Sequence, residues 1–167
     1  MAPENFAHRL KDFSLFKDFS HRDKEIAVIA SIMEPRHYKK GAYIFRQGDQ
    51  GKELFILTSG SVRVCKNTTQ NEEYTIVDLK SEWNVFFGEI ALMDNDERSA
   101  SIKVLEDCQV LVMNRDQFNE LGRDYPEICL HVTRVIVKII CGRLRSMNDD
   151  VILLFDALVN EIQSTQL

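Results

Sequence analysis

Apolar residues change their spacing twice along this 167-residue chain, which divides it into three stretches. Phe6, Leu10 and Phe13 recur at helical intervals, and Leu15, Phe16 and Phe19 continue the same patch. Ser20 is a favourable N-cap, after which Ile26, Ile29, Ala30 and Met33 repeat with helical period until Glu34-Pro35 stops the run. Residues 1–35 therefore read as a helical lead-in. From Tyr38 to Asn114 the texture becomes short apolar or alternating runs cut by turn residues. Strands are expected at 43–45, 54–57, 61–65, 74–79, 101–105 and 108–114. Gly41, Gly48-Asp49-Gln50-Gly51 and Ser59-Gly60 supply the turns, and 67–73 a polar hairpin loop. Evenly spaced short strands with glycine turns predict a mainly β fold with flanking helices, a jelly-roll (double-stranded β-helix) barrel over residues 36–115.

The third stretch, 116–167, returns to helical spacing. Asp116 is placed to cap a short helix ended by Gly122, and Tyr125-Pro126 opens a long one, Pro being tolerated in a first turn. Ile128, Val132, Val135, Ile136, Ile139 and Ile140 would cover the barrel, and Gly142 would mark a bend. Beyond it a heptad register is available, with Asn148, Phe155 and Ile162 at a and Leu144, Val151 and Leu158 at d. Ile152, Leu153, Leu154 and Val159 lie off that seam. A helix apolar on so many sides needs cover, from a second copy of the chain or from its own barrel.

Composition narrows the function classes. With 44% hydrophobic and 28% charged residues the chain suits one globular domain, and a net charge of −5 argues against a nucleic-acid partner. The apolar run 128–140 is interrupted by His131, Arg134 and Lys138, and the N-terminus has no signal-like stretch, so neither a membrane span nor export is expected. Four scattered cysteines read as reduced thiols, and the four histidines lack metal-ligand spacing, so no metal or cofactor site is expected in a cytoplasmic protein.

Residues 87–102 carry the chemistry. Gly88 and Glu89 open a short helical turn, Ile90-Ala91-Leu92-Met93, which Asp94-Asn95-Asp96 breaks, and Arg98-Ser99-Ala100 leads into a strand at Ile102. Amides at the helix start and after Arg98 favour an anion, and an Arg fork pairs two phosphate oxygens at once. A carboxylate only accepts, which suits a sugar hydroxyl. No nucleophile with its base and no acid/base carboxylate pair stands in one motif, so an enzyme is not expected.

This segment resembles the phosphate-binding cassette of cyclic nucleotide-binding domains, whose pattern is Phe-Gly-Glu, an aliphatic, Ala-Leu, a short loop, then Arg, a small residue, Ala and Ser or Thr. Gly41, Phe45, Gly48, Gly51, Gly60 and Val62 fit the same family's barrel pattern, so the resemblance covers about residues 10–150. It implies that Glu89 accepts from a ribose 2′-hydroxyl, that Arg98 neutralises a cyclic phosphate, and that Ser99 and Ala100 complete the phosphate shell. Gly88, Ile90 and Ala91 would line that site. It also implies a base contact from the C-terminal helix, where Asn148 offers a donor and an acceptor to a purine edge. One departure precedes the cassette: Lys80-Ser81-Glu82-Trp83-Asn84-Val85 replaces a glycine-containing loop. Transcription-factor relatives carry a helix-turn-helix after the long helix, and nothing here fits one. The expectation is a sensor of cyclic AMP or cyclic GMP, a homodimer through its C-terminal helix that acts on an effector protein. The alternative is a scaffold that keeps the fold without the ligand.

Overall fold

The computed structural model describes residues 4–70, 72–94 and 97–164. Two antiparallel four-stranded sheets make its centre. Strands β1 (Met33–Tyr38), β8 (Cys108–Asn114), β3 (Glu53–Ser59) and β6 (Phe86–Phe87) form one sheet in that order. Strands β2 (Tyr43–Phe45), β7 (Ser101–Val104), β4 (Ser61–Asn67) and β5 (Glu73–Lys80) form the other. The mainly antiparallel fold with flanking helices is the one the sequence predicts. Helices α1 (Glu4–Leu10) and α2 (Asp23–Ser31), with a 3₁₀ turn at Ser14–Phe19 between them, lead in. Helix α3 (Ile90–Met93) lies within the cassette, and α4 (Arg115–Asp124) and α5 (Pro126–Ser164) end the chain. Among the described residues no helix is long and apolar enough to cross a membrane.

The first sheet is buried on both faces. On β3, Leu54 and Ile56 join a helix-side core with Phe13, Phe16 and Ile29, while Phe55 and Leu57 point into the space between the sheets. On β8, Leu111 and Met113 face the helices, and Val110 and Val112 face Val62, Ile102 and Val104 of the second sheet. The period-two side-chain alternation thus serves two cores at once, which is why β3 and β8 read as near-continuous apolar runs.

The lead-in differs from expectation. Helix α2 starts at Asp23 with Arg22 as its N-cap, and Ser20 ends the 3₁₀ turn. The helix stops at Ser31, because Met33-Glu34-Pro35 belongs to β1, where Pro35 stands opposite Leu111. A proline fits there because β1 is a sheet edge and needs no donor on its open side. Strand β1 also crosses the expected boundary at 35. At the other end, Asn114 is the cap of α4, accepting from the Asp116 amide, so Asp116 is a helical residue. Gly122 lies inside α4 against the Cys129 side chain and does not end it. Helix α5 runs unbroken through Gly142 for 39 residues, about 58 Å.

Helix α5 has two characters. Its first half buries Ile128, Val132 and Ile136 against the helix-side core. His131 bonds Asp18 through Nδ1 at 3.2 Å and meets the edge of Phe19, pinning α5 to the 3₁₀ turn. Its second half leaves Val151, Leu154, Phe155 and Leu158 more than half exposed.

Candidate functional site

The cassette is held from three sides. Phe86 and Phe87 pair with β3, and Gly88 then turns the chain at a φ of +73°. Glycine is required there twice over: the φ is strained for other residues, and a Cβ would come within 2.7 Å of an Arg98 Nη1. Glu89 sits at the N-cap position of α3, and the amides of Ala91 and Leu92 donate back to the Gly88 and Glu89 carbonyls. Past the loop, the Arg98 amide donates to Asp49 O at 2.8 Å, and Arg98 O accepts from the Gly48 amide at 2.9 Å. The Gly48–Gly51 turn therefore fixes where the arginine leaves the backbone. Asn95 and Asp96, read as breaking α3, lie outside the described residues.

Arg98 is 7% exposed. Its Nη1 donates to the carbonyls of Glu53 (2.9 Å) and Gly88 (3.2 Å), and its guanidinium carbon lies 4.1 Å from the Phe45 ring centroid. Gly51 leaves the room for it, since a Cβ on that residue would stand 2.2 Å from Nε. Nε is buried and has no hydrogen-bond partner among the described residues. Burial lowers the guanidinium pKa from its ordinary value, opposed by the charges of Glu53, Asp49 and Glu89. Arginine stays charged across any working pH. A buried cation with an unspent donor marks a place for an anion. Elsewhere in the chain, Arg63 uses its Nε and Nη2 to grip the Asp78 carboxylate at 2.7 and 2.9 Å.

Glu89 is 2% exposed and is paired with Arg143, which reaches down from α5. A buried carboxylate needs such a partner, because an unpaired one would cost several kcal/mol. Arg143 keeps more than half its side chain in solvent, so the pair stands at the edge of an open cavity. That cavity measures about 620 Å³, within the range of small-molecule sites. Its walls include Gly88, Glu89, Ile90 and Ala91, then Arg98, Ser99 and Ala100, with α5 contributing Ile139, Arg143, Ser146 and Met147.

Seven of the eight residues singled out in the sequence therefore share one cavity. The eighth, Asn148, is exposed on α5 and is not part of the cavity wall. Sequence reasoning missed Arg143 as the partner of Glu89, Phe45 as the platform under Arg98, and Gly51 as the space it occupies. A signal for Arg143 exists: it stands seven residues after Ile136 and four after Ile139, a charge at the end of the barrel-facing stripe. Among the described residues no cluster of three or more His, Cys, Asp or Glu could hold a metal.

Residues 35–125, more than half of the chain, match the cyclic nucleotide-binding domain family. The chain is 32% identical over 126 residues to human cGMP-dependent protein kinase 2, an alignment covering 75% of this chain and 16% of the kinase. The crystal structure of Thermus thermophilus catabolite activator protein superposes with a TM-score of 0.73 and 31% identity, over 84% of this chain and 62% of that one. A cyclic nucleotide-binding domain from Methylobacillus flagellatus has the same fold, with a TM-score of 0.74 at 23% identity over 90% and 82% of the two chains. The chain thus spans under a fifth of the kinase and under two thirds of the activator. A matched family model and this shared architecture converge on one assignment: the chain belongs to the cyclic nucleotide-binding domain family.

Proposed function

We propose that this chain is a sensor of cyclic AMP or cyclic GMP that signals by moving α5 and has no catalytic role of its own. The carrying observation is the buried Arg98 guanidinium, which lines a 620 Å³ cavity with an unspent donor. In this reading Arg98, with Ser99 and Ala100, takes the cyclic phosphate, and Glu89 accepts from the ribose 2′-hydroxyl. Gly88, Ile90 and Ala91 line the sugar end. The ion pair of Glu89 with Arg143 supplies the coupling, since one carboxylate serves both the ligand and the helix. A ligand that binds more tightly when α5 is drawn in shifts the helix by that difference in affinity. The exposed apolar faces of the distal helix support a homodimer through α5, with a further protein as effector. Four free cysteines fit a reducing, cytoplasmic setting.

Calorimetry tests the assignment. Arg98→Ala should lose most of the affinity, since one charge-assisted contact is worth about 1.5–3 kcal/mol and the phosphate is then left unpaired. Glu89→Ala should weaken binding less and lose discrimination against 2′-deoxy analogues. Wild-type affinity in Arg98→Ala would remove the phosphate role.

One observation favours a second reading, a scaffold that binds no nucleotide: Glu89 is already paired with Arg143, and Arg98 Nη1 with two carbonyls. Thermal unfolding that millimolar cyclic AMP and cyclic GMP leave unshifted would favour it, because a bound ligand must raise stability.

A further inference from the structure

The sole tryptophan of the chain stands where a family-typical glycine loop is replaced. Ser81–Trp83 forms a 3₁₀ turn, closed by the Asn84 amide donating to Ser81 O at 3.1 Å, with Asn84 in the left-handed region at a φ of 49°. Both ends of the turn are tied down. The Ser81 amide donates to Gly60 O, and Val85 O accepts from the Leu57 amide, each at 3.1 Å. The indole is thus carried on a braced support, yet it is 57% exposed and lines the cavity. It does not fill the mouth of the fold. Across the same cavity Met147 of α5 is 60% exposed. Large apolar side chains left open on two walls of one cavity gain free energy if a flat apolar body covers them.

The cavity is therefore polarised: a cationic end at Arg98, a hydroxyl-accepting middle at Glu89, and an apolar end at Trp83 and Met147. We infer that Trp83 is a base-stacking, specificity-determining residue, which packs its indole on the purine ring of the nucleotide while the Met147 thioether faces it from α5. This rests on the cyclic nucleotide reading above. Stacking accepts any flat heteroaromatic ring but rewards the larger surface of a purine. Thioethers also make favourable contacts with aromatic edges, so the clamp gains from α5 moving inward.

The full chain is titrated with cyclic AMP, cyclic GMP, cyclic CMP and a base-free ribose cyclic phosphate, by calorimetry and by intrinsic fluorescence. With one indole in the chain, its emission should change saturably with the calorimetric midpoint. Trp83→Ala should weaken the two purine nucleotides about tenfold to a hundredfold. It should weaken cyclic CMP less and the base-free compound hardly at all, whereas Trp83→Phe should recover most of the purine affinity. Trp83 is exposed, so the unfolding midpoint of the ligand-free variants should match wild type. Purine binding that Arg98→Ala abolishes but Trp83→Ala leaves intact would overturn this inference and spare the cyclic nucleotide reading. An equal loss for all four compounds would overturn it too, as the mark of a structural role. A wild-type chain that binds none of the compounds would remove both.

Discussion

Arg98 depends on a residue with no side chain. Gly51 has no left-handed backbone conformation to defend, yet its Cβ would fall 2.2 Å from Arg98 Nε and 2.6 Å from Nη2. An alanine there displaces the guanidinium from the Phe45 ring and from the carbonyls of Glu53 and Gly88. Gly51→Ala should therefore lower cyclic nucleotide affinity by at least about tenfold, the scale of one charged hydrogen bond. Its unfolding midpoint should move little, because the backbone of the turn suits either residue. Calorimetry beside a melting curve separates the two, and unchanged affinity would mean that the arginine works from more than one position. At this scale the cassette was legible because Glu89, Arg98, Ser99 and Ala100 stand close together in sequence. Arg143 lies 54 residues from Glu89, and no local spacing joins them. Their pairing follows from how α5 crosses the cavity, a tertiary fact.

At the scale of elements, periodicity was readable where an element has one buried face and misleading where it has two or none. The proximal half of α5 shows its barrel-facing stripe plainly. Strand β1 does not, because Pro35 and charged Glu34 and Arg36 sit on an open edge. Gly142 suggested a bend, but a helical glycine costs only about 1 kcal/mol, and no neighbour crowds that position. The continuous helix matters because it carries the seam expected after Leu144 out past the barrel. Phe155 and Leu158 are 64% and 58% exposed in the single chain, a large apolar surface to leave in water. Leu158→Glu should therefore convert a dimer into a single chain in sedimentation at tens of micromolar, with nucleotide binding retained, since neither residue lines the cavity. A wild-type chain that sediments as a monomer at that concentration would remove the dimer from the proposal.

In the whole molecule, the two cores share one sheet, so a perturbation at its strand ends reaches both. Cys108, first residue of β8, is 4% exposed and packs in the inter-sheet core with Val62, Val104 and Val110. Burial raises its thiol pKa from the ordinary 9.0 to about 11. A folded-state pKa above the unfolded one means that the folded chain holds the proton more tightly. Below pH 9 both states are protonated, and the thiol leaves stability unchanged. Between pH 9 and 11 only the unfolded chain releases its proton, so stability falls across that window, by at most about 2–3 kcal/mol. The other buried thiols and the surface amines also titrate in this range, which makes a difference measurement necessary. Urea unfolding at pH 8 and pH 10.5 should show a larger loss for wild type than for Cys108→Ala. The variant starts lower at pH 8, because a small cavity replaces the sulfur, but it lacks this deprotonation step. Parallel losses in the two proteins would mean that the core opens enough around β8 for the thiolate to reach water without unfolding. The two sheets would then be less firmly closed on one another than their interleaved valines imply.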